Sequence, residues 1–150
     1  MEANMRRYIK IVRVPYEEPH HLELHIEASN GLVAGTVVIY LTLDHLIRIA
    51  DALEGYPQTL SDEFVFELGS EKPEDHWGFY FLLRVFYTQL SHCAIHMRLN
   101  NNEPLPNRQI AEFCMHITVH QLNDLGKRFR ELAKLSNFSL EWSPDPSAIA

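Results

Sequence analysis

A chain of 150 residues with 46% hydrophobic and 11% aromatic side chains can bury a substantial core, which excludes wholesale disorder. Its formal net charge of −7 disfavours nucleic-acid backbones and anionic lipid, both of which need clustered Lys and Arg. The same charge serves solubility and suits a basic protein partner.

Residues 7–14 are β-branched and end at Pro15, which reads as a strand and its stop. From Leu22 the residues alternate, with Leu22, Leu24, Ile26 and Ala28 on one side and Glu23, His25 and Glu27 on the other, as in a half-buried strand. Asn30-Gly31 predicts a two-residue type I′ hairpin turn into a return strand over 32–41. The period then changes. Leu43, Leu46, Ile47, Ala50 and Leu53 share one helical face. Thr42 is placed to cap that helix, Asp44 suits its dipole, and Gly55 before Pro57 predicts a left-handed stop.

A strand over 63–68 points Phe64, Phe66 and Leu68 inward, and a solvated loop follows over 69–76. The apolar run over 77–87 and the alternation over 91–99 predict two more strands. In the second of these, Cys93, Ile95, Met97 and Leu99 face inward and His92, Ala94, His96 and Arg98 outward. A polar loop over 100–107 leads to a strand over 111–117. Thr118-Val-His-Gln121 has the form of a capping box for a helix striped by Leu122, Leu125, Phe129, Leu132 and Leu135. Residues 138–142 make a short strand or pack over the core.

These elements predict one α+β domain over 1–142: a curved antiparallel sheet of about six to seven strands, with two amphipathic helices packed on one face. A frayed tail over 143–150 follows. The joins at Thr42 and Thr118 match in type, which raises an internal duplication over roughly 20–56 and 90–136. The N-terminal residues have no apolar stretch after their basic pair, so a signal peptide is not expected in them, and no window is long and apolar enough to cross a bilayer. A cytoplasmic setting is expected, with Cys93 and Cys114 as free thiols facing opposite ways.

No motif for nucleophilic catalysis, phosphate binding or structural zinc is present, so a non-enzymatic protein without a cofactor is expected. Nine histidines raise a metal hypothesis, in which His92, His96 and His116 share a face. His92 and His96 lie roughly 13 Å apart along a strand, so only one of them can join His116 on an ion. The more informative feature is the face turned away from the helices. Val38, Tyr40, Val65, Tyr80, Leu82 and Phe86 all project there, and an apolar patch on an uncovered sheet face marks dimerisation, a partner protein, or a sheet that curls or is covered by the segment with Trp142. Tyr40, Val65, Tyr80, Leu82 and Phe86 are therefore the partner-binding candidates.

The order of features resembles a group of small bacterial proteins. It comprises an opening hairpin, a leucine-patterned helix ending near Gly55-Tyr-Pro57, a Phe66-x-x-Gly69-Ser strand, a helix beginning Leu122-x-x-Leu125 and a late Leu140-Glu-Trp142. It is also similar to immunity proteins of the WapI type, which bind and neutralise secreted toxins. The resemblance implies a bacterial, cytoplasmic, non-enzymatic binding protein and carries no functional residue with it. Two other readings stand beside it: a small-molecule or metal-binding domain, and a homodimer formed through the sheet face.

Overall fold

The computed structural model describes residues 6–59 and 61–145. Eight strands and two α-helices follow in the order β1 (Arg7–Glu17), β2 (His21–Asn30), β3 (Ala34–Leu41), α1 (Leu43–Glu54), β4 (Glu63–Gly69), β5 (Tyr80–Gln89), β6 (His92–Asn100), β7 (Ile110–Thr118), α2 (Val119–Ala133) and β8 (Ser139–Trp142). A short 3₁₀ turn, Pro73–Asp75, interrupts the β4–β5 connection.

The expected α+β class is present, but the single sheet is not. The strands form two antiparallel four-stranded sheets, ordered β3-β2-β1-β8 and β4-β5-β6-β7. The second half repeats the first: a three-stranded meander, a helix and a closing strand. The closing strands are exchanged. β4, which follows α1, pairs with β5 of the second meander, and β8, which follows α2, pairs with β1 of the first. Alternation shows that a segment is a strand, but its partner depends on where the preceding helix delivers the chain.

Both helix starts form as their residues predict. Thr42 Oγ1 accepts from the His45 backbone N–H at 3.3 Å, while the Thr42 N–H donates to His45 Nδ1 at 3.2 Å. Thr118 and Gln121 make the same reciprocal pair at 3.1 and 2.9 Å. His45 must be neutral to accept. Burial first, and then the nearby Arg48, lowers its pKa below the ordinary 6.5. A histidine depressed in the fold stabilises it fully above the unfolded pKa and loses that contribution as pH falls through the folded one. We expect the His45 ring to titrate below pH 6.5 by NMR, with α1 beginning to fray over the same range; a midpoint above 6.5 would contradict the cap.

Several local expectations are corrected. Pro15 does not stop β1, which continues to Glu17 through a register shift after Val14. The hairpin turn is displaced by one residue from Asn30-Gly31 to Gly31-Leu32, with the Asn30 N–H bonded to Val33 O. Ser29 pairs with Ala34, and Asn30 Oδ1 accepts from the backbone N–H groups of Leu32 and Val33 at 2.9 and 2.8 Å. Gly55 ends α1 at φ −91°, not in the left-handed region. Its carbonyls find another partner: Asn123 Nδ2 of α2 lies 2.8 Å from Leu53 O and 3.0 Å from Tyr56 O. The buried stripe of α1 is Leu46, Ile49, Ala50 and Leu53, with Ile47 exposed.

The tail begins as an anchored segment. Arg7 Nη2 pairs with Asp145 Oδ1 at 2.7 Å, Ser143 Oγ donates to Arg7 O at 2.6 Å, and Gln121 Nε2 donates to Pro144 O at 2.7 Å. The rest of the predicted tail, 146–150, lies outside the described residues.

One hydrophobic cluster joins both helices to the inner faces of both sheets. It contains Ile9, Leu24 and Ile39 from the first sheet, and Phe66, Leu83, Ile95 and Met115 from the second. Two close approaches bring the repeats together. A Cβ on Gly35 of β3 would lie 2.5 Å from the Ala111 Cβ of β7, and one on Gly126 of α2 would lie 2.6 Å from the backbone N of Glu54 in α1. The outer faces of both sheets remain uncovered by the helices.

Candidate functional site

The outer face of the first sheet is built by the side chains that alternate with its core residues. Register places Val12, His25 and Val38 in one cross-strand row and Val14, Glu23 and Tyr40 in the next. The Tyr40 ring lies 5.4 Å from Tyr16 and 6.5 Å from Phe79, and Phe79 lies 5.5 Å from Trp77, so the aromatic rings run on from the sheet into the loop before β5. Val12, Tyr16, Val38, Tyr40 and Trp77 are each between 36% and 55% exposed. Val12, Tyr16, Val38 and Tyr40 form a solvent-facing apolar surface with His25 and Glu23 set into it, the pair held at 2.6 Å, and Trp77 is joined to it through the buried Phe79. Burial first, then the Glu23 carboxylate, raises the Tyr40 hydroxyl above its ordinary 10.0, which keeps the ring neutral.

Beside this face lies a cleft of about 550 Å³ between the first sheet and the loops around Gly78 and Gln109. Its floor and walls mix apolar groups (Val12, Val38) with Lys10, Glu27 and Glu103.

The outer face of the second sheet has a different chemistry. Val65, Arg84, His96 and Cys114 form one row and Glu67, Leu82, Arg98 and Glu112 the next. Charged groups lace across them. Arg84 Nε pairs with Glu63 at 2.7 Å, His96 Nε2 with Glu112 at 2.6 Å, and Arg98 with Glu71 at 2.7 Å and Glu112 at 2.9 Å. The hydrogen bond from His96 first, then that from Arg98, overcomes partial burial and holds the Glu112 carboxyl below its ordinary range. Burial alone would raise Glu71, but hydrogen bonds from Arg98 and Asn100 override it and lower that carboxyl as well. Arg84 also stacks 4.5 Å over the Phe86 ring.

The five partner-binding candidates are thus divided between two surfaces. Tyr40 lies on the apolar face of the first sheet. Val65, Tyr80, Leu82 and Phe86 lie on the second, where Val65 is exposed and the other three are half-buried among the charged groups. Tyr80 donates its hydroxyl to Glu67 at 2.5 Å. Val12, Tyr16 and Trp77 were not singled out in the sequence. Val12 sits in the alternation of β1, but no pattern links Tyr16 and Trp77 to Tyr40, because their approach depends on the irregular end of β1 and on the loop before β5.

The histidines do not converge. His96 is engaged by Glu112, His92 Nδ1 lies 2.8 Å from Leu90 O, and His116 belongs to a different cross-strand row from His96. Among the described residues no group of three or more His, Cys, Asp or Glu is placed to hold a metal ion. Cys93 is buried and Cys114 exposed. Burial pushes the Cys93 thiol up to about 12, so alkylation of the folded protein at pH 8 should label Cys114 and spare Cys93. Rapid labelling of both by mass spectrometry would show that β6 opens.

No helix among the described residues is long and apolar enough to cross a membrane. No family model matches the chain, and no curated protein matches it.

Proposed function

We propose that the protein is a non-enzymatic protein-binding module and that the outer face of its first sheet is the contact surface. The observation that carries this reading is the exposed surface of Val12, Val38, Tyr40 and Tyr16, with exposed Trp77 joined to it through the buried Phe79. Aromatic side chains on a rigid sheet offer large contact area at little conformational cost, and such anchors dominate measured binding energies. The net charge of −7 favours encounter with a basic partner. The similarity to WapI-type immunity proteins supports a toxin as that partner and the bacterial cytoplasm as the place of action.

Calorimetric titration against a basic toxin encoded beside the gene tests the reading. We expect a complex with Kd below micromolar. Tyr40→Ala and Trp77→Ala should each weaken it by about thirtyfold, equivalent to about 2 kcal/mol per anchor. Val65→Ala, on the other sheet, should leave it unchanged. Absence of a complex at micromolar concentrations, or equal losses from Val65→Ala and Tyr40→Ala, would sink the assignment. Dimers in light scattering that Tyr40→Ala dissociates would reassign the surface to a second copy of the chain.

A further inference from the structure

An edge strand turns the N–H and C=O of every second residue away from its neighbour, and two sheets present four such edges. Side chains occupy exposed carbonyls on three of them. Arg48 Nη2 donates to Val65 O of β4 at 3.2 Å, and Arg128 Nη1 to Glu141 O of β8 at 2.9 Å. On β7, Asn30 Nδ2 donates to Cys114 O at 3.0 Å and Arg7 Nη1 to His116 O at 2.6 Å.

The fourth edge is β3. The Asn30 N–H donates to Val33 O, which fixes the odd-numbered residues of this strand as those bonded to β2. Thr36, Val38 and Tyr40 therefore direct their backbone groups outward. Val38 and Tyr40 hold the places in the first repeat that Cys114 and His116 hold in the second. Among the described residues, no backbone or side-chain group bonds to the outward groups of these three residues. The cleft lies beside them. Lys10, Val12, His25 and Glu27 of β1 and β2 line its sheet side together with Thr36 and Val38. It therefore opens over the outer face and reaches the β3 edge at those last two residues, with Gly78, Asn101 and Gln109 beyond. Two copies of a chain with a net charge of −7 repel each other at an acidic cleft, which argues for a basic partner and against another copy of this protein. Glu27 and Glu103 against Lys10 give it an acidic excess, in keeping with the net charge of −7.

We infer that an extended segment of a basic partner protein adds to β3 as a fifth strand of the first sheet, bonding to the outward backbone groups of Thr36, Val38 and Tyr40. Alternate apolar side chains of that segment lie against Val38 and Tyr40, and its Lys or Arg side chains meet the acidic cleft. The inference rests on the protein-binding reading and adds to it the mode of binding.

The probe is a synthetic peptide alternating lysine with valine and tyrosine, with a proline-interrupted peptide of like charge as control. Amide exchange of the full chain is followed by NMR. The Thr36, Val38 and Tyr40 amides should exchange freely in the peptide-free protein and slow at least tenfold on saturation with the peptide, but not with the control. Thr36→Pro removes an N–H that β2 does not use and leaves the exposed apolar surface intact, so the fold is retained while peptide affinity falls at least tenfold. If that variant fails to fold, the wild-type exchange pattern still decides.

Amides already protected without peptide, protection that grows with protein concentration alone, or absence of peptide binding would each overturn the inference. Peptide binding with no protection at these amides, and equal in Thr36→Pro, would overturn strand addition while leaving the sheet face as the contact surface. A native partner bound equally well by wild type and Thr36→Pro separates the two in the same way.

Discussion

Arg13→Ala should destabilise the fold by about 3–5 kcal/mol, the usual cost of breaking a buried, hydrogen-bonded ion pair. Arg13 continues the inward-facing series Ile9 and Ile11 on β1, and its side chain is only 1% exposed. A charge in that position persists because every part of the guanidinium is engaged. Nη1 lies 2.5 Å from the Glu18 carboxylate, Nη2 donates to Leu135 O and Asn137 O at 3.0 and 2.9 Å, and Nε donates to Asn137 O at 3.2 Å. The plane also stacks 4.5 Å from the centre of the Phe138 ring. Arg13 thus fastens the connection between α2 and β8 onto β1. Removing it strands the carbonyls of Leu135 and Asn137 and a carboxylate that is itself largely covered. Arg13→Lys should recover little, because one ammonium cannot span Glu18, Leu135 and Asn137 as the planar fork does. Urea unfolding measures the loss, and a midpoint for Arg13→Ala close to that of wild type would refute this account.

Gly126→Val should destabilise by about 3 kcal/mol, toward the upper end of what overpacking costs. A Cβ at this position would stand 2.6 Å from the backbone N of Glu54 and 2.9 Å from the carbonyl carbon and the Cβ of Leu53. Backbone atoms of a neighbouring helix cannot rotate aside, so α1 and α2 must separate. The alanine variant is the sharper test because two effects oppose each other. In an isolated helix, Gly→Ala gains about 1 kcal/mol. Here the clash outweighs that gain, and Gly126→Ala should lower the denaturation midpoint. A raised midpoint would mean that the helices have slack at their crossing. Arg130, which reaches across to Asp51 at 2.6 Å and Glu54 at 2.5 Å, should lose both pairs in the valine variant.

Legibility in the sequence followed the range of the interaction. The Thr42 and Thr118 caps are readable because all partners lie within three residues, although nothing in the sequence marks His45 as the answering group at the first cap. The stripe of α2 was correct at Leu122, Leu125, Phe129 and Leu132, all buried. The stripe of α1 was rotated by part of a turn, exposing Ile47 and burying Ile49, since an isolated helix does not show which flank its neighbour covers. Arg13 passed as an ordinary strand residue. Nothing near it in the chain signals burial, because its carbonyl partners lie beyond α2.

The candidate surface divides in the same manner. Alternation placed Tyr40, Val65, Tyr80, Leu82 and Phe86 on the outward side of their strands, with one sheet assumed to carry them all. Two sheets separate Tyr40 from the other four and bring it instead to Tyr16, Phe79 and Trp77. The uncapped edge of β3 is a tertiary fact of the same kind. It is visible only by comparison with β7, where Arg7 and Asn30 arrive from the other half of the chain.

The sequence by itself determined the elements: where strands alternate, where helices start, and which side chains of each strand turn inward. Those properties arise from backbone geometry and neighbours a few residues away. The tertiary structure decided the pairing of strands into two sheets, the exchange of β4 and β8 between repeats, the burial of Arg13 and the joining of scattered aromatics into one surface. Each of these depends on contacts between residues far apart in the chain, whose choice among alternatives is made by packing and not by local pattern.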